Sequence, residues 1–495
     1  MKSFIYIFIF AACLAAFSAS PAFAAEAPHY NWYALHLPGQ LINSAEEDLD
    51  GDGLKDIVAF SIYTDKRGGT YRVVSVFYQR RGGAFTSSPD QSWTLEDDAA
   101  VFDIGEVSGT GRKAICFLSP TGMYAYLPSG KGFNIHPTQI IRTENIFAQQ
   151  DSLDLPRWPF LVENGRAPDL AIIPTVSRLL VYSSAGGSYR ETGSLPFSTH
   201  TDFAENVITG DTGPLTISHR LPVVSTAPFA GKGSQDLFVT WEDNADVFAR
   251  KPGGFAAGPS IRFRPGLGDE SKPDLLENTS VQAVDLDGEG RSDLIVTKMT
   301  GGVAQTKTLV FIYRRRGNGF APRPDQTIVT EGVIGPMFID INGDGRMDII
   351  LPSVRMGINN FITMLTNRQI NMNVGIYLQD RSGRFPVRPT NEKAVSFKLD
   401  IENLNKKTRP VMVFGRFSKG NPGYGLAVAS KDDRVSIYTP DRYSVLSDNP
   451  ALNLSVDAPS EMAAVDLDKD GVDDLVLTYK KFKDKARTIN VFISK

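Results

Sequence analysis

The sequence predicts an all-β protein assembled from repeats, and three observations carry that prediction. A nine-residue acidic loop occurs four times: Asp48-Leu-Asp50-Gly-Asp52-Gly-Leu-Lys-Asp56, Asp285-Leu-Asp287-Gly-Glu289-Gly-Arg-Ser-Asp293, Asp340-Ile-Asn342-Gly-Asp344-Gly-Arg-Met-Asp348 and Asp466-Leu-Asp468-Lys-Asp470-Gly-Val-Asp-Asp474. A glycine-rich turn leading into an aromatic recurs between the loops, as at Gly83-Ala-Phe85, Gly132-Phe133, Gly187-Ser-Tyr189, Gly254-Phe255, Gly319-Phe320 and Gly383-Arg-Phe385, and without the glycine at Asp441-Arg-Tyr443. Short apolar runs flank both features, such as Val281-Gln-Ala-Val before a loop and Ile57-Val-Ala-Phe after one. Short strands punctuated by turn residues at regular spacing are the pattern of an all-β architecture.

Four weaker copies of the loop fill the gaps. They are Glu106-Val-Ser-Gly109-Thr-Gly111, Glu163 to Asp169, Phe229-Ala-Gly231-Lys232-Gly233-Ser-Gln-Asp236 and Arg416 to Gly425. With them, successive copies lie roughly 60 residues apart, near the periods that mark propellers and solenoids. Each repeat reads as four strands: A, the loop, B, a variable connection, C, the glycine-aromatic turn, and D. Eight loops stand against seven turns, because the last repeat stops at its strand C, Thr488-Ile-Asn-Val-Phe-Ile. Its missing outer strand is supplied by Tyr30 to Leu37, which would close a ring and remove its free edges. The expectation is a β-propeller of eight blades over residues 25–495, with seven blades as the alternative.

The ends and the composition bound the function. Residues 1–24 have the form of a secretory signal: Lys2, an apolar run from Phe4 to Phe17, and Ala22-Phe23-Ala24 as the cleavage signature. Export to the periplasm or the medium follows, with lipid anchoring at Cys13 as a minor alternative and no membrane span after cleavage. Cleavage leaves Cys116 alone, so the mature chain forms no internal disulfide; Cys116 reads as a buried filler. A net charge of −4 argues against a nucleic-acid partner.

Oxygen side chains at positions 1, 3, 5 and 9 of the loop, with glycine forcing the turn, suit a hard divalent cation. The repeated loop resembles that of the FG-GAP/VCBS repeat proteins, the family of the integrin alpha-chain propellers. The resemblance covers nearly all of the mature chain. It implies Ca²⁺ in about four A–B loops, held by the side chains of Asp48, Asp50, Asp52 and Asp56; Asp285, Asp287, Glu289 and Asp293; Asp340, Asn342, Asp344 and Asp348; and Asp466, Asp468, Asp470 and Asp474. It adds the backbone carbonyls of Leu54, Arg291, Arg346 and Val472. Asn342 lacks a charge, Glu289 is long, and Lys469 replaces a glycine. In the weak loops Ser108 and Thr110 replace acids, and Lys232 is expected to set its ammonium where a cation would sit.

The long irregular segments fall on the face opposite these loops: Glu144 to Pro159, Thr201 to Arg220, Pro265 to Asn278, Met356 to Ile370, Asn391 to Arg409 and Lys480 to Arg487. Function concentrates on such loops, so an unknown protein or glycan partner is expected there. Trp158 and Trp241 are candidate sugar platforms, although core packing is the plainer reading. Catalysis has little support. His29, His36, His136, His200 and His219 are scattered, no nucleophile elbow occurs, and Gly210-Asp211-Thr212-Gly213 has no second copy to form a carboxylate pair. The expected function is a non-catalytic binding, adhesion or assembly module; the alternatives are a carbohydrate-binding lectin and a polysaccharide-active enzyme.

Overall fold

The structure is a computed structural model that describes residues 29–147, 153–165, 167–185, 187–197, 200–204, 216–267, 278–300, 307–332, 335–354, 366, 369–398, 411–431, 433–441, 444–480 and 485–495. Eight antiparallel four-stranded sheets form the blades of a closed ring. Blade 1 comprises Gln40–Glu47, Asp56–Thr64, Thr70–Phe77 and Gln91–Thr94 as strands A to D. Strands A and B of the next six blades begin at Val101 and Ala114, Leu161 and Ala167, Val223 and Asp236, Asn278 and Asp293, Met337 and Asp348, and Met412 and Gly425. Blade 8 has Glu461–Val465, Asp474–Thr478 and Thr488–Ser494 from the C-terminus. Its strand D is Tyr30–His36, paired antiparallel with Thr488–Ser494 from Tyr30 opposite Ser494 to His36 opposite Thr488. The expected closure by the N-terminal strand and the count of eight both hold.

Burial explains why the strands differ in pattern. Strand B is covered on both faces by neighbouring blades, so Asp56 to Phe60 and Ala114 to Ser119 are buried throughout. Strand D lies at the rim and alternates, as in Gln91-Ser92-Trp93-Thr94, where only Trp93 is buried. The core therefore sits between blades. Phe60 of blade 1 meets Phe102 of blade 2 at 4.3 Å between ring centroids, and Phe263 of blade 4 meets Tyr313 of blade 5 at 4.8 Å. Burying each such ring contributes roughly 2–3 kcal/mol. The glycine-aromatic turns add polar staples. The Gln91 side-chain amide donates to the Phe133 carbonyl and accepts from the Phe133 N–H, and Gln326 does the same to Phe385 two blade pairs away. Gly132 is required here, because a β-carbon would lie 2.4 Å from Gln91 Oε1. Cys116 is fully buried in strand B of blade 2, as expected.

Three of the expected connections turn out otherwise. Asn391–Lys398, read as loop, is strand D of blade 6. Its Lys393 occupies an inward position, where the ammonium donates to the carbonyls of Ser447 and Asp448 and stands 4.2 Å from the Tyr438 ring centroid. Within Thr201 to Arg220, a two-stranded hairpin pairs His200–Ala204 with Thr216–Arg220, outside the eight blades. Of Glu144 to Pro159, the later part runs along the free edge of strand A of blade 2: the Phe102 N–H donates to Pro156 O, and the Trp158 N–H donates to Phe102 O. Leu155 and Trp158 are buried there, and Asn43 of blade 1 donates to Leu155 O. This segment packs inward and offers no free loop. Residues 148–152, 205–215, 268–277, 356–365, 367–368, 399–409 and 481–484 of the expected connections, the signal segment 1–24 and the Gly210 to Gly213 motif lie outside the described residues. Among the described residues, no helix is long and apolar enough to cross a membrane.

Candidate metal centres

Each acidic loop joins strand A to strand B on one face of the ring. In blade 1, Gly51 and Gly53 adopt left-handed backbone at φ 82° and 95°, which glycine enters without the side-chain penalty. The turn folds the acids back onto the loop's own amides. The Gly53 N–H donates to Asp48 Oδ2, the Asp52 N–H to Asp50 Oδ1 and the Leu54 N–H to Asp52 Oδ1. Blades 5, 6 and 8 repeat this cradle. Gly290, Gly345 and Gly471 donate to Asp285, Asp340 and Asp466, and Glu289, Asp344 and Asp470 donate to Asp287, Asn342 and Asp468. Lys469 keeps the turn by taking φ 61° itself, at a cost of about 1 kcal/mol.

Position 9 does something the sequence did not reveal. Asp56 is wholly buried and accepts the Leu49 N–H on one oxygen and the Gln79 N–H on the other, both at 2.9 Å. It therefore ties the loop to the exit of strand C. Asp348 does this with Ile341 and Gln379, and Asp474 with Leu467 and Ser494. Asp236 of blade 4 does the same with Phe229 and Arg250, although its loop lacks the acidic set. Burial pushes the carboxyls of Asp56 and Asp474 up to about 7 and that of Asp348 to about 6, despite these donors, and the nearby loop acids add to the rise. A divalent cation beside them would favour the ionised form.

The residues fit such a cation. Asp48, Asp50 and Asp56 bring one oxygen each to within 4.8 Å of one another, and so do Asp466, Asp468 and Asp470. Asp285 Oδ1 and Asp466 Oδ1 are buried without a hydrogen-bond partner, a state that is costly unless an ion or water answers it. An all-oxygen donor set suits calcium. Blades 5 and 6 differ from blades 1 and 8 at position 7. Arg291 pairs with Glu289 at 3.1 Å, and Arg346 pairs with Asp344, which also accepts from the Asn342 side chain. Leu54 and Val472 hold that position in the other two loops.

The weak loop of blade 2 closes itself. Glu106 Oε1 accepts the N–H groups of Ser108, Gly109 and Thr110 and the Ser108 hydroxyl. Lys232 stands at position 5 of the blade 4 loop. It is exposed, and its stem lies against the blade 5 loop, where a β-carbon on Gly290 would meet Lys232 Cβ at 2.5 Å. The stem thus packs outward against its neighbour. Trp241 is no free platform either, since the Arg264 guanidinium stands 4.6 Å from its ring centroid and Phe197 meets it edge-on. Trp158 is core.

Neighbouring loops are joined by main-chain hydrogen bonds, another feature without a local sequence signal. The N–H of Lys55 donates to Leu467 O of blade 8, Asp473 to Arg416 O, Tyr424 to Ile341 O, Met347 to Leu286 O, Ser292 to Pro228 O and Asp169 to Glu106 O. Each bond links one blade's loop to the loop of the preceding blade, and together they join six of the eight pairs of neighbouring loops, all but those of blades 1 and 2 and of blades 3 and 4.

Residues 285–351, from the blade 5 loop to strand B of blade 6, match the FG-GAP-like repeat family. No curated protein matches the chain in sequence. Among solved structures, a lectin of Agrocybe aegerita, described as recognising non-reducing terminal N-acetylglucosamine, is similar at a TM-score of 0.39 and 14% identity, over 75% of this chain and 91% of that one; so remote a likeness carries no weight here. The repeat matched over residues 285–351 is FG-GAP-like, and a closed ring of eight four-stranded blades is consistent with such repeats.

Proposed function

We propose that this chain is an exported, calcium-stabilised propeller that acts as a binding or assembly module and performs no catalysis. Supporting the export reading is the form of residues 1–24. Supporting the calcium reading are the converging carboxylates of blades 1 and 8 and the unpartnered oxygens of Asp285 and Asp466. The observation that carries the binding reading is the division of labour between connections. The A–B loops and glycine-aromatic turns are short and bonded blade to blade, whereas the connection from blade 3 to blade 4 carries an extra hairpin, His200–Ala204 with Thr216–Arg220, that belongs to no blade. A rigid scaffold bearing such additions is how loops come to hold partners.

The partner is a protein or a glycan held on the face away from the acidic loops. The test replaces Thr201 to Arg220 with a short glycine-serine turn. Thermal unfolding should be nearly unchanged, while capture of partners from the native periplasm or medium falls. A glycan array run with and without calcium separates a sugar from a protein partner. Undiminished capture by the shortened chain would count against the hairpin and the face it belongs to.

A further inference from the structure

The blade 8 loop lies where the two ends of the chain meet. In the other seven blades strand D follows strand C directly, but in blade 8 it arrives from the N-terminus, with the rest of the ring between them. Docking that strand closes a loop of nearly the whole chain, which costs more entropy than any hairpin. Something local must offset the difference.

The bonding around the loop supplies a route. Tyr30 stands opposite Ser494 in the closing pair. The Ser494 N–H donates to Asp474 Oδ1 at 2.7 Å, and its hydroxyl donates to Asp470 Oδ1 at 3.4 Å. The Tyr30 ring packs edge-on against Phe492 at 6.5 Å and its hydroxyl is buried without a hydrogen-bond partner; burial first, then the negative charge of Asp474, Asp473 and Asp470, holds its pKa above the ordinary tyrosine value. The same loop reaches both neighbours. Leu467 O accepts from Lys55 of blade 1, and Asp473 exchanges two hydrogen bonds with Arg416 of blade 7, each at 2.7 Å. Lys469 extends toward blade 1, where a β-carbon on Gly53 would lie 3.1 Å from its ammonium. Of the four acidic loops, this one alone joins a convergent carboxylate set to an unpartnered position-1 oxygen, that of Asp466.

We propose that a divalent cation in the blade 8 loop is the clasp of the ring, holding the N-terminal strand through Asp470, Asp474, Ser494 and Tyr30. The inference rests on the calcium reading above. A cation held by Asp466, Asp468 and Asp470 fixes Asp470, the acceptor of the Ser494 hydroxyl, beside Asp474, the acceptor of its N–H, and Ser494 fixes the end of strand C against Tyr30. By linkage, docking of the strand and binding of the ion strengthen each other. The other acidic loops stabilise their own blades without touching a chain end.

Hydrogen exchange on the full mature chain tests this, in about 1 mM calcium and in EGTA, with calcium titration calorimetry on the same sample. Removing calcium should lower protection of residues 30–36 and 488–494 by about tenfold or more, while Ala114–Ser119 and Ala167–Pro174 of blades 2 and 3 stay protected. Asp468→Asn should reproduce the loss in the presence of calcium, and Asp344→Asn in blade 6 should not. Tyr30→Ala removes the ring's contact with Phe492; by the same linkage it should weaken calcium binding at one site severalfold, whereas a strand docked independently of the ion would leave the titration unchanged. Calcium binding without any change at residues 30–36 overturns the clasp and leaves the calcium reading standing, and equal loss of protection around the whole ring overturns it too. No calcium binding at all removes the calcium reading and the clasp together.

Discussion

Blades 1 and 2 stand side by side and close the same turn in two ways. In blade 2 one oxygen of Glu106 takes three loop N–H groups and a hydroxyl, and the turn is complete. In blade 1 the amides are shared among Asp48, Asp50 and Asp52, and Asp56 adds a fourth carboxylate nearby. The fold needs only the first arrangement. The second assembles more negative charge than the turn requires, a surplus that the proposed cation would neutralise. Position 9 lies outside this contrast: Asp236 of a weak loop and Asp56 of a full one make the same two kinds of backbone bond.

The largest expected effect breaks the comparison at position 9. Asp56→Ala and Asp236→Ala should each destabilise by roughly 3 kcal/mol, because two buried N–H groups lose their acceptor. The cost should appear in EGTA as well as in calcium for Asp236→Ala, as urea unfolding would report. A loss confined to the full loops would mean that the bond to strand C matters only through the ion.

Removing calcium comes next. With affinities in the ~10⁻⁴–10⁻³ M range of extracellular modules, each occupied site should add about 1 kcal/mol at millimolar calcium. The melting temperature should fall on adding EGTA and recover with calcium. Asp48→Asn should shrink that response, whereas Glu106→Gln should lower stability in both conditions equally.

The pH response sharpens the same contrast. In EGTA the folded chain holds protons on Asp56, Asp474 and Asp348 that the unfolded chain releases near pH 4. The native state then binds more protons than the unfolded state between pH 4 and 7, so stability should fall as pH rises through that window. Calcium should flatten the slope. Melting curves from pH 4 to 8 check it, and a slope indifferent to calcium would separate these carboxyls from any ion.

The smallest effect concerns Lys469. Lys469→Gly in saturating calcium should stabilise by about 1 kcal/mol by relieving its left-handed backbone. Denaturant unfolding would show it, and a loss of stability instead would mean that the ammonium's place beside Gly53 outweighs the strain.

Much of this molecule was legible in the chain because its signals are local. A turn needs glycine within the turn, and a half-buried strand alternates within itself, so loops, turns and blade count could be read by position. Strand D of blade 6 was missed because Lys393 stands at an inward position, and the carbonyls that satisfy it belong to Ser447 and Asp448 of the next blade. The inward path of Leu155 to Trp158 was missed for a similar reason: nothing in its composition names the sheet edge it pairs with.

By itself the sequence determined the repeat, the eight blades, the N-terminal closing strand and the acids available to a cation, since each follows from spacing along a few residues. Only the tertiary structure decided that position 9 brackets strand C, that loops bond from blade to blade, that Lys232 packs outward against a neighbour's loop, and that the blade 8 loop sits where the chain ends meet. Those outcomes depend on which blade faces which, and hydrogen bonds between residues of different blades, such as Lys55 with Leu467 across the ring closure, leave no periodicity behind.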